Sequence, residues 1–202
     1  LPLGTLSACK ELSKIYDDNW YNNYCEYNYG MKGYKNLYYK SMRTGTIYKT
    51  DYDKLENEVK LNIKGIKASG VRHSSKTLIL TFDGKLYMDD ELIDVDVSDI
   101  DYSCYIKKNV CYYFVYENYK KEHHVLDEND NFIKLLGAGD QIILLTSKYV
   151  HKKHARKDPV QKYEHNNITD IQLICGNICS LHSNGDVKII GSEETLFTDV
   201  KS

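Results

Sequence analysis

Thr77-Leu78-Ile79-Leu80-Thr81-Phe82-Asp83-Gly84-Lys85-Leu86-Tyr87 is the stretch that decides the fold, because it reads as a strand, a tight turn and a second strand. Residues 77–80 form a short apolar run of strand length, and Asp-Gly is a preferred two-residue hairpin turn. A second hairpin of the same kind lies at residues 179–190, where Asn184-Gly185 supplies the turn. The chain is therefore predicted to be all-β.

Three further segments are weaker copies of this hairpin, at residues 41–48, 112–118 and 142–150. The five predicted turns lie at Gly45, Gly84, Asn118, Lys148 and Gly185. Turns spaced roughly 30 to 39 residues apart indicate a tandem repeat with variable loops. A short apolar alternation precedes the later hairpins, so one repeat is predicted as strand, glycine corner, strand, tight turn and strand. Such a unit cannot bury its sheet face alone, which favours a β-propeller or partial propeller of about four to five blades.

The predicted domain organisation is an N-terminal arm at residues 1–34 and a β-repeat, propeller-like domain at residues 35–202. Within the arm, residues 7–16 place apolar side chains at helical intervals, which predicts one short helix. Residues 17–36 are rich in Tyr and Asn and are interpreted as an added strand or a partner-binding arm.

Three segments resemble the repeats of the regulator of chromosome condensation family. They are residues 66–73 leading to 80–87, residues 136–140 leading to 144–146, and residues 174–176 leading to 181–187. Each resembles an apolar-small-Gly corner followed by part of a hairpin, although the Trp-Gly and Gly-Gln-Leu-Gly elements of the family are absent. The resemblance implies a propeller that normally has seven blades, so four or five copies indicate a smaller or open ring, or one that another protein or a missing segment completes. It also implies, as an alternative function, nucleotide exchange on a small GTPase.

Composition narrows the partner class. The chain has 27 basic and 29 acidic residues and a net charge of −2, which argues against nucleic acid and anionic lipid as general partners. No apolar run reaches the 18 or more residues of a membrane helix, and we expect no membrane partner.

The six cysteines form no paired zinc-ribbon spacing. Free thiols are favoured over disulfides, so an intracellular location is favoured over secretion, while targeting stays undetermined.

The densest candidate site is a basic stretch interpreted as a protruding loop within the repeat array. Its candidate partner-binding residues are His151, Lys152, Lys153, His154, Arg156 and Lys157. Protruding loops are common binding elements, although a solvated loop without function has the same composition. His151 and His154, together with His123 and His124, are weighed as metal ligands, but their spacing is not diagnostic and no metal is predicted.

The acidic connector at residues 89–101 lacks the glycine and the closing glutamate of a calcium loop, so its carboxylates are interpreted as protection against edge pairing.

No nucleophile motif and no phosphate-binding glycine loop is present, and neither catalysis nor a cofactor is predicted. The sequence therefore predicts a non-catalytic protein–protein interaction module that docks a protein partner through its loops or an open edge. A secreted pathogen ligand-binding protein is a further alternative.

Overall fold

A computed structural model gives the fold and describes residues 24–27, 36–40, 44–51, 54–72, 74–115, 120–138, 140–154, 157–174, 176–192 and 194–200. The described chain forms five four-stranded antiparallel sheets, each built from four strands that are consecutive in sequence. We call these sheets blades 1 to 5 in chain order. The described residues contain no helix of the length and hydrophobicity that a membrane crossing requires.

The strands of the first three blades have the following bounds. Blade 1 consists of β1 (Tyr24–Tyr27), β2 (Asn36–Lys40), β3 (Ile47–Asp51) and β4 (Lys54–Lys60). Blade 2 consists of β5 (Lys67–Gly70), β6 (Thr77–Leu80), β7 (Leu86–Met88) and β8 (Glu91–Asp94). Blade 3 consists of β9 (Asp99–Asp101), β10 (Cys104–Lys107), β11 (Val110–Val115) and β12 (Lys120–Val125).

The last two blades have longer first and second strands. Blade 4 consists of β13 (Phe132–Ala138), β14 (Gln141–Thr146), β15 (Tyr149–His154) and β16 (Lys157–Glu164). Blade 5 consists of β17 (Ile168–Ile174), β18 (Asn177–His182), β19 (Val187–Ile189) and β20 (Thr195–Phe197). The first strands of successive blades lie side by side, β5 with β9, β9 with β13 and β13 with β17. This is the arrangement of propeller blades, and the all-β propeller prediction is confirmed.

The hairpin that decides the fold forms between β6 and β7, but its turn has three residues, 82–84, instead of the predicted two. In the turn between β6 and β7, Gly84 has φ +77°, a conformation that only glycine adopts without strain. The amide of Thr81 donates to the carbonyl of Lys85 at 2.9 Å, which closes the turn. In blade 5, Gly185 has φ +89° and the amide of His182 donates to the carbonyl of Asp186 at 2.9 Å. The two turns therefore share one geometry.

The second strand of a blade has two buried faces because a neighbouring blade covers each side. In β14, Leu144 belongs to the apolar cluster shared with blade 3, whereas Ile143 and Leu145 belong to the cluster shared with blade 5. We call the side of a blade that turns toward the next blade its forward face and the other side its rear face. Double burial explains why β6 and β14 read as continuous apolar runs.

The first strands add polar links between blades. Lys67 pairs with Asp99 at 3.4 Å across blades 2 and 3, and Lys134 pairs with Asp170 at 2.7 Å across blades 4 and 5. Between blades 3 and 4, the amide of Gly137 donates to the Asp101 carboxylate at 2.8 Å. Each link joins consecutive blades.

Several predictions differ from the structure or lie outside it. The predicted helix at residues 7–16 lies outside the described residues. Strand β1 lies within the predicted arm and pairs with β2, so the first blade begins before residue 35. Blades have four strands instead of three, because each predicted polar connector contains an outer strand such as β8. The tight turn of blade 3 is Lys108-Asn109 and not Asn118, since β10 and β11 pair across it.

Candidate interaction face

Blade 5 carries apolar side chains at the positions that other blades use to contact their successor. In blade 4, Leu145 pairs with Lys134 directly after a register shift in β13. In blade 5, Leu181 pairs with Asp170 directly after the same shift in β17. Leu181 therefore has the place of Leu145, and Cys179, two residues earlier, has the place of Ile143.

The two faces of blade 5 separate by the alternation of its strands. Ile171 and Ile178 are buried in the cluster with Ile143 and Leu145, so they form the rear face against blade 4. Cys179 and Leu181 alternate with them and lie on the forward face. Their cross-strand partner residues lie on the same face, since directly paired residues of an antiparallel sheet share a side.

We define the open face as the forward side of blade 5. It carries Ile174, Cys179, Leu181, Val187, Ile189 and Phe197. Among these residues, Ile174 is 54% exposed and Phe197 is 63% exposed. Every residue of β20 is exposed. The centre of the face is less open, since Cys179 is 5% exposed and Leu181, Val187 and Ile189 are partly buried. An apolar sheet face that stays in contact with water marks an interaction site.

The connector that follows β20 repeats the connector that follows β8. Asp96 and Asp199 both have φ 58°. The amide of Val97 donates to the carbonyl of Gly84 at 2.9 Å, and the amide of Val200 donates to the carbonyl of Gly185 at 3.0 Å. In blade 2 this connector delivers the chain to the first strand of blade 3. Val97 is 5% exposed there, whereas Val200 is 38% exposed.

The basic stretch predicted as a protruding loop is mostly sheet. His151, Lys152, Lys153 and His154 lie in β15, and Lys157 begins β16, while Arg156 lies outside the described residues. His151 is 1% exposed and Lys153 is 7% exposed. The loop interpretation is wrong because the outer hairpin of blade 4 continues through these residues. A partner cannot reach His151 or Lys153 directly, and the role of the stretch in partner binding stays a prediction.

His151 is held within the contact between blades 3 and 4. Its Nε2 lies 3.7 Å from the carboxylate of Asp130, which also accepts hydrogen bonds from the hydroxyls of Thr146 and Ser147. The ring of His124 meets the His151 ring edge-on, with centroids 5.6 Å apart. Burial lowers the pKa of His151 and lowers that of His124 to about 4. Within the described residues, no three metal-ligating side chains converge.

Lys153 and His154 have separate environments. The Lys153 ammonium lies over the ring of Tyr113 at 5.5 Å, a cation–π contact across blades 3 and 4. His154 Nε2 lies 3.9 Å from the carboxylate of Asp140, which also pairs with Arg72 of blade 2. The Lys153 contact joins consecutive blades, whereas the pair of Arg72 and Asp140 joins blade 2 to blade 4. Sequence reasoning missed Asp140 and Arg72 because the residues are distant in sequence.

A carboxylate of the acidic connector also links blade 2 to blade 3. Asp94, at the end of β8, accepts hydrogen bonds from the Tyr105 hydroxyl and the Lys107 ammonium, each at 2.7 Å. Burial works to raise the pKa of Asp94, but these hydrogen bonds outweigh it and lower the pKa to about 2. The interpretation of the connector as edge protection misses this structural role.

The described cysteine side chains are buried and not joined in disulfides. They are Cys104, Cys111 and Cys179. Burial raises the pKa of the Cys104 thiol, and raises that of Cys111 to about 12. Thiols with pKa values this high are poor nucleophiles at neutral pH.

Comparison with known proteins supports the fold and no closer relationship. No protein-family model matches the chain, and no curated protein matches its sequence. The extracellular domain of a one-component system from B. thetaiotaomicron has a TM-score of 0.50 and 8% identity, covering 79% of this chain and 25% of that chain. Dihydro-heme d1 dehydrogenase NirN, in complex with DHE, has a TM-score of 0.51 and 12% identity, covering 77% of this chain and 42% of that chain.

A third similar structure is the WD40 domain of SCAP from fission yeast, with a TM-score of 0.42 and 8% identity, covering 76% of this chain and 48% of that chain. The chain thus spans less than half the length of each of these three structures. At these identities the similarity concerns the fold alone. The five blades define the class: an all-β chain of propeller blades with an apolar face open at blade 5.

Proposed function

We propose that this chain is a non-catalytic protein-interaction module, a partial propeller that docks a protein partner on its open face. The observation that supports the proposal is the apolar composition of the open face together with its exposed rim. Ile174 and Phe197 are more than half exposed, whereas Cys179 at the centre of the face is 5% exposed. Burying apolar area of this kind is the main favourable term in most protein–protein association.

The location of the opening also changes the expected binding mode. Each blade ends in an outer strand, so exposed strand edges are common to all blades. The open face of blade 5 is the side of a sheet, and it is where the described packing from blade to blade stops. We therefore assign the partner to a sheet face, and strand addition at an edge, which the sequence suggested, is not specially favoured.

Site-specific photo-crosslinking tests the proposal. The full chain carries p-benzoyl-phenylalanine in place of Phe197, and the matched control carries it in place of Phe82, which is 71% exposed on the blade 2 turn. In extract of the cells that make this protein, we expect one discrete protein adduct from position 197 and none of that size from position 82. Equal adducts at both positions, or none at either, would contradict the proposal.

A further inference from the structure

Two histidine rings meet in the outer half of the contact between blades 3 and 4. His124 of β12 pairs with Cys111, and His151 of β15 pairs with Leu144. Because Cys111 and Leu144 belong to the apolar cluster between these blades, both rings point into the contact. Strand β12 is the fourth strand of blade 3 and β15 is the third strand of blade 4, so the rings lie away from the first strands.

Three of the four ring nitrogens are buried without a hydrogen-bond partner among the described residues, namely Nε2 of His124 and both nitrogens of His151. The Asp130 carboxylate lies 3.7 Å from Nε2 of His151, beyond hydrogen-bond distance, and already accepts hydrogen bonds from residues 146–148. A neutral imidazole has one N–H donor, whereas a protonated imidazole has two donors and a charge. Protonation therefore adds a buried charge and a donor that this contact leaves unsatisfied.

Charges around the two rings balance before either ring takes up a proton. The described titratable side chains that face them are Lys153, Lys162, Asp127, Asp130, Cys111, Tyr113 and Tyr149. Two of these side chains are ammonium groups and two are carboxylates. A proton on either ring gives the contact a net positive charge, and a second proton, on a ring whose centroid is 5.6 Å away, adds repulsion between like charges.

We infer that the outer half of the contact between blades 3 and 4 is a pH-sensitive joint, in which protonation of His124 and His151 parts β12 from β15. The inner half is apolar, since Cys104, Ile106 and Leu135 pack there and each is at most 1% exposed. It stays closed when the histidines are charged. Opening uncovers Lys153, so acid exposes part of the basic stretch that the closed contact buries.

The direction of the response follows from which state binds the proton more tightly. His124 has a pKa of about 4 in the closed contact against an ordinary 6.5, and burial lowers the pKa of His151 as well. The closed contact therefore keeps its full stability above pH 6.5 and loses stability as the pH falls toward 4. Between pH 7 and pH 5, His124 alone shifts the equilibrium about twentyfold toward the open contact.

Thiol labelling of the full chain tests the joint, because Cys111 pairs with His124 while Cys104 lies in the inner half of the same contact. The reagent is 4,4′-dithiodipyridine, and mass spectrometry of peptides gives the labelling rate of each cysteine relative to an unfolded peptide of the same sequence. From pH 7 to pH 5, we expect the protection of Cys111 to fall by about twentyfold or more and that of Cys104 to stay unchanged. Unchanged protection of Cys111 overturns the inference, and so does an equal fall at both cysteines, which would report global unfolding.

Histidine variants assign the response to the two rings. His124→Phe and His151→Phe each keep a ring in the contact and remove one proton site, so each should diminish the fall at Cys111, and the double variant should abolish it. His123→Phe is the matched control, since His123 is exposed on the other face of β12 and should leave the fall as in the original chain. An undiminished fall in both single variants, with Cys104 still protected, would show that another group opens the contact and would overturn the inference.

Discussion

Two leucine truncations at the same place in different blades measure whether the open face is empty. Leu145 is 0% exposed between blades 4 and 5, and Leu145→Ala should lower the free energy of unfolding by about 2–5 kcal/mol. Leu181 has the same register position but is only partly buried. Because some of its surface is already in water, Leu181→Ala should cost about 1 kcal/mol. A difference of about 2 kcal/mol corresponds to roughly a 30-fold change in the folding equilibrium.

Urea unfolding followed by circular dichroism provides the assay, with both variants and the original chain measured side by side. Equal dependence of the free energy on urea in all three chains is required, since only then does a shifted midpoint report stability. If Leu181→Ala costs as much as Leu145→Ala, the forward face of blade 5 is already covered in the isolated chain. That result would refute the reasoning behind the proposed function.

Two further predictions use matched variants. A Cβ on Gly137 would lie 2.3 Å from the Tyr102 carbonyl oxygen, so Gly137→Ala should cost about 1–3 kcal/mol in urea unfolding, as overpacked sites do. Gly176→Ala adds a Cβ with nothing within 4 Å and should cost only the left-handed strain of about 1–2 kcal/mol, without disturbing the contact of blades 3 and 4. The folded chain holds the pKa of His124 at about 4 against an ordinary 6.5, so the folded state binds fewer protons and stability falls as the pH drops from 6.5 toward 4. In a pH series of unfolding measurements, His124→Phe should reduce this fall in the free energy of unfolding, whereas His123→Phe, at an exposed position, should leave it unchanged. If the free energy falls equally with pH in both variants, His124 is not the source of the fall.

The sequence predicts the hairpins where the turn chemistry is explicit. Turns form at Asp83-Gly84 and Asn184-Gly185 as predicted, because glycine accepts the positive φ at no cost, although each turn has three residues instead of two. The same reasoning does not predict the turn of blade 3, because Lys108 adopts φ 53° there and no glycine marks the position. A lysine in that conformation is stabilised by the strands it joins, and a local pattern does not reveal it.

The candidate site was less accessible to sequence reasoning. The shortage of blades indicates that a surface is left over, but only cross-strand pairing shows that Leu181 is equivalent to Leu145. Charge composition indicates an exposed loop at His151 and Lys153, because it does not reveal that Asp130 and Tyr113 pack against these side chains. Aligning the second strands of the blades on their turns would have found Cys179 and Leu181.

The composition of β18 is itself an argument about how the open face is used. Asn177-Ile-Cys-Ser-Leu-His182 places Cys179 on the open face where β14 has Ile143, and Ser180 on the rear face where β14 has Leu144. Cys179 is 5% exposed, so this smaller side chain alters little of the apolar area that the open face shows to water. The most exposed apolar side chains of the face are Ile174 and Phe197, at 54% and 63%. A protein partner on the open face would therefore bury these two side chains more than Cys179.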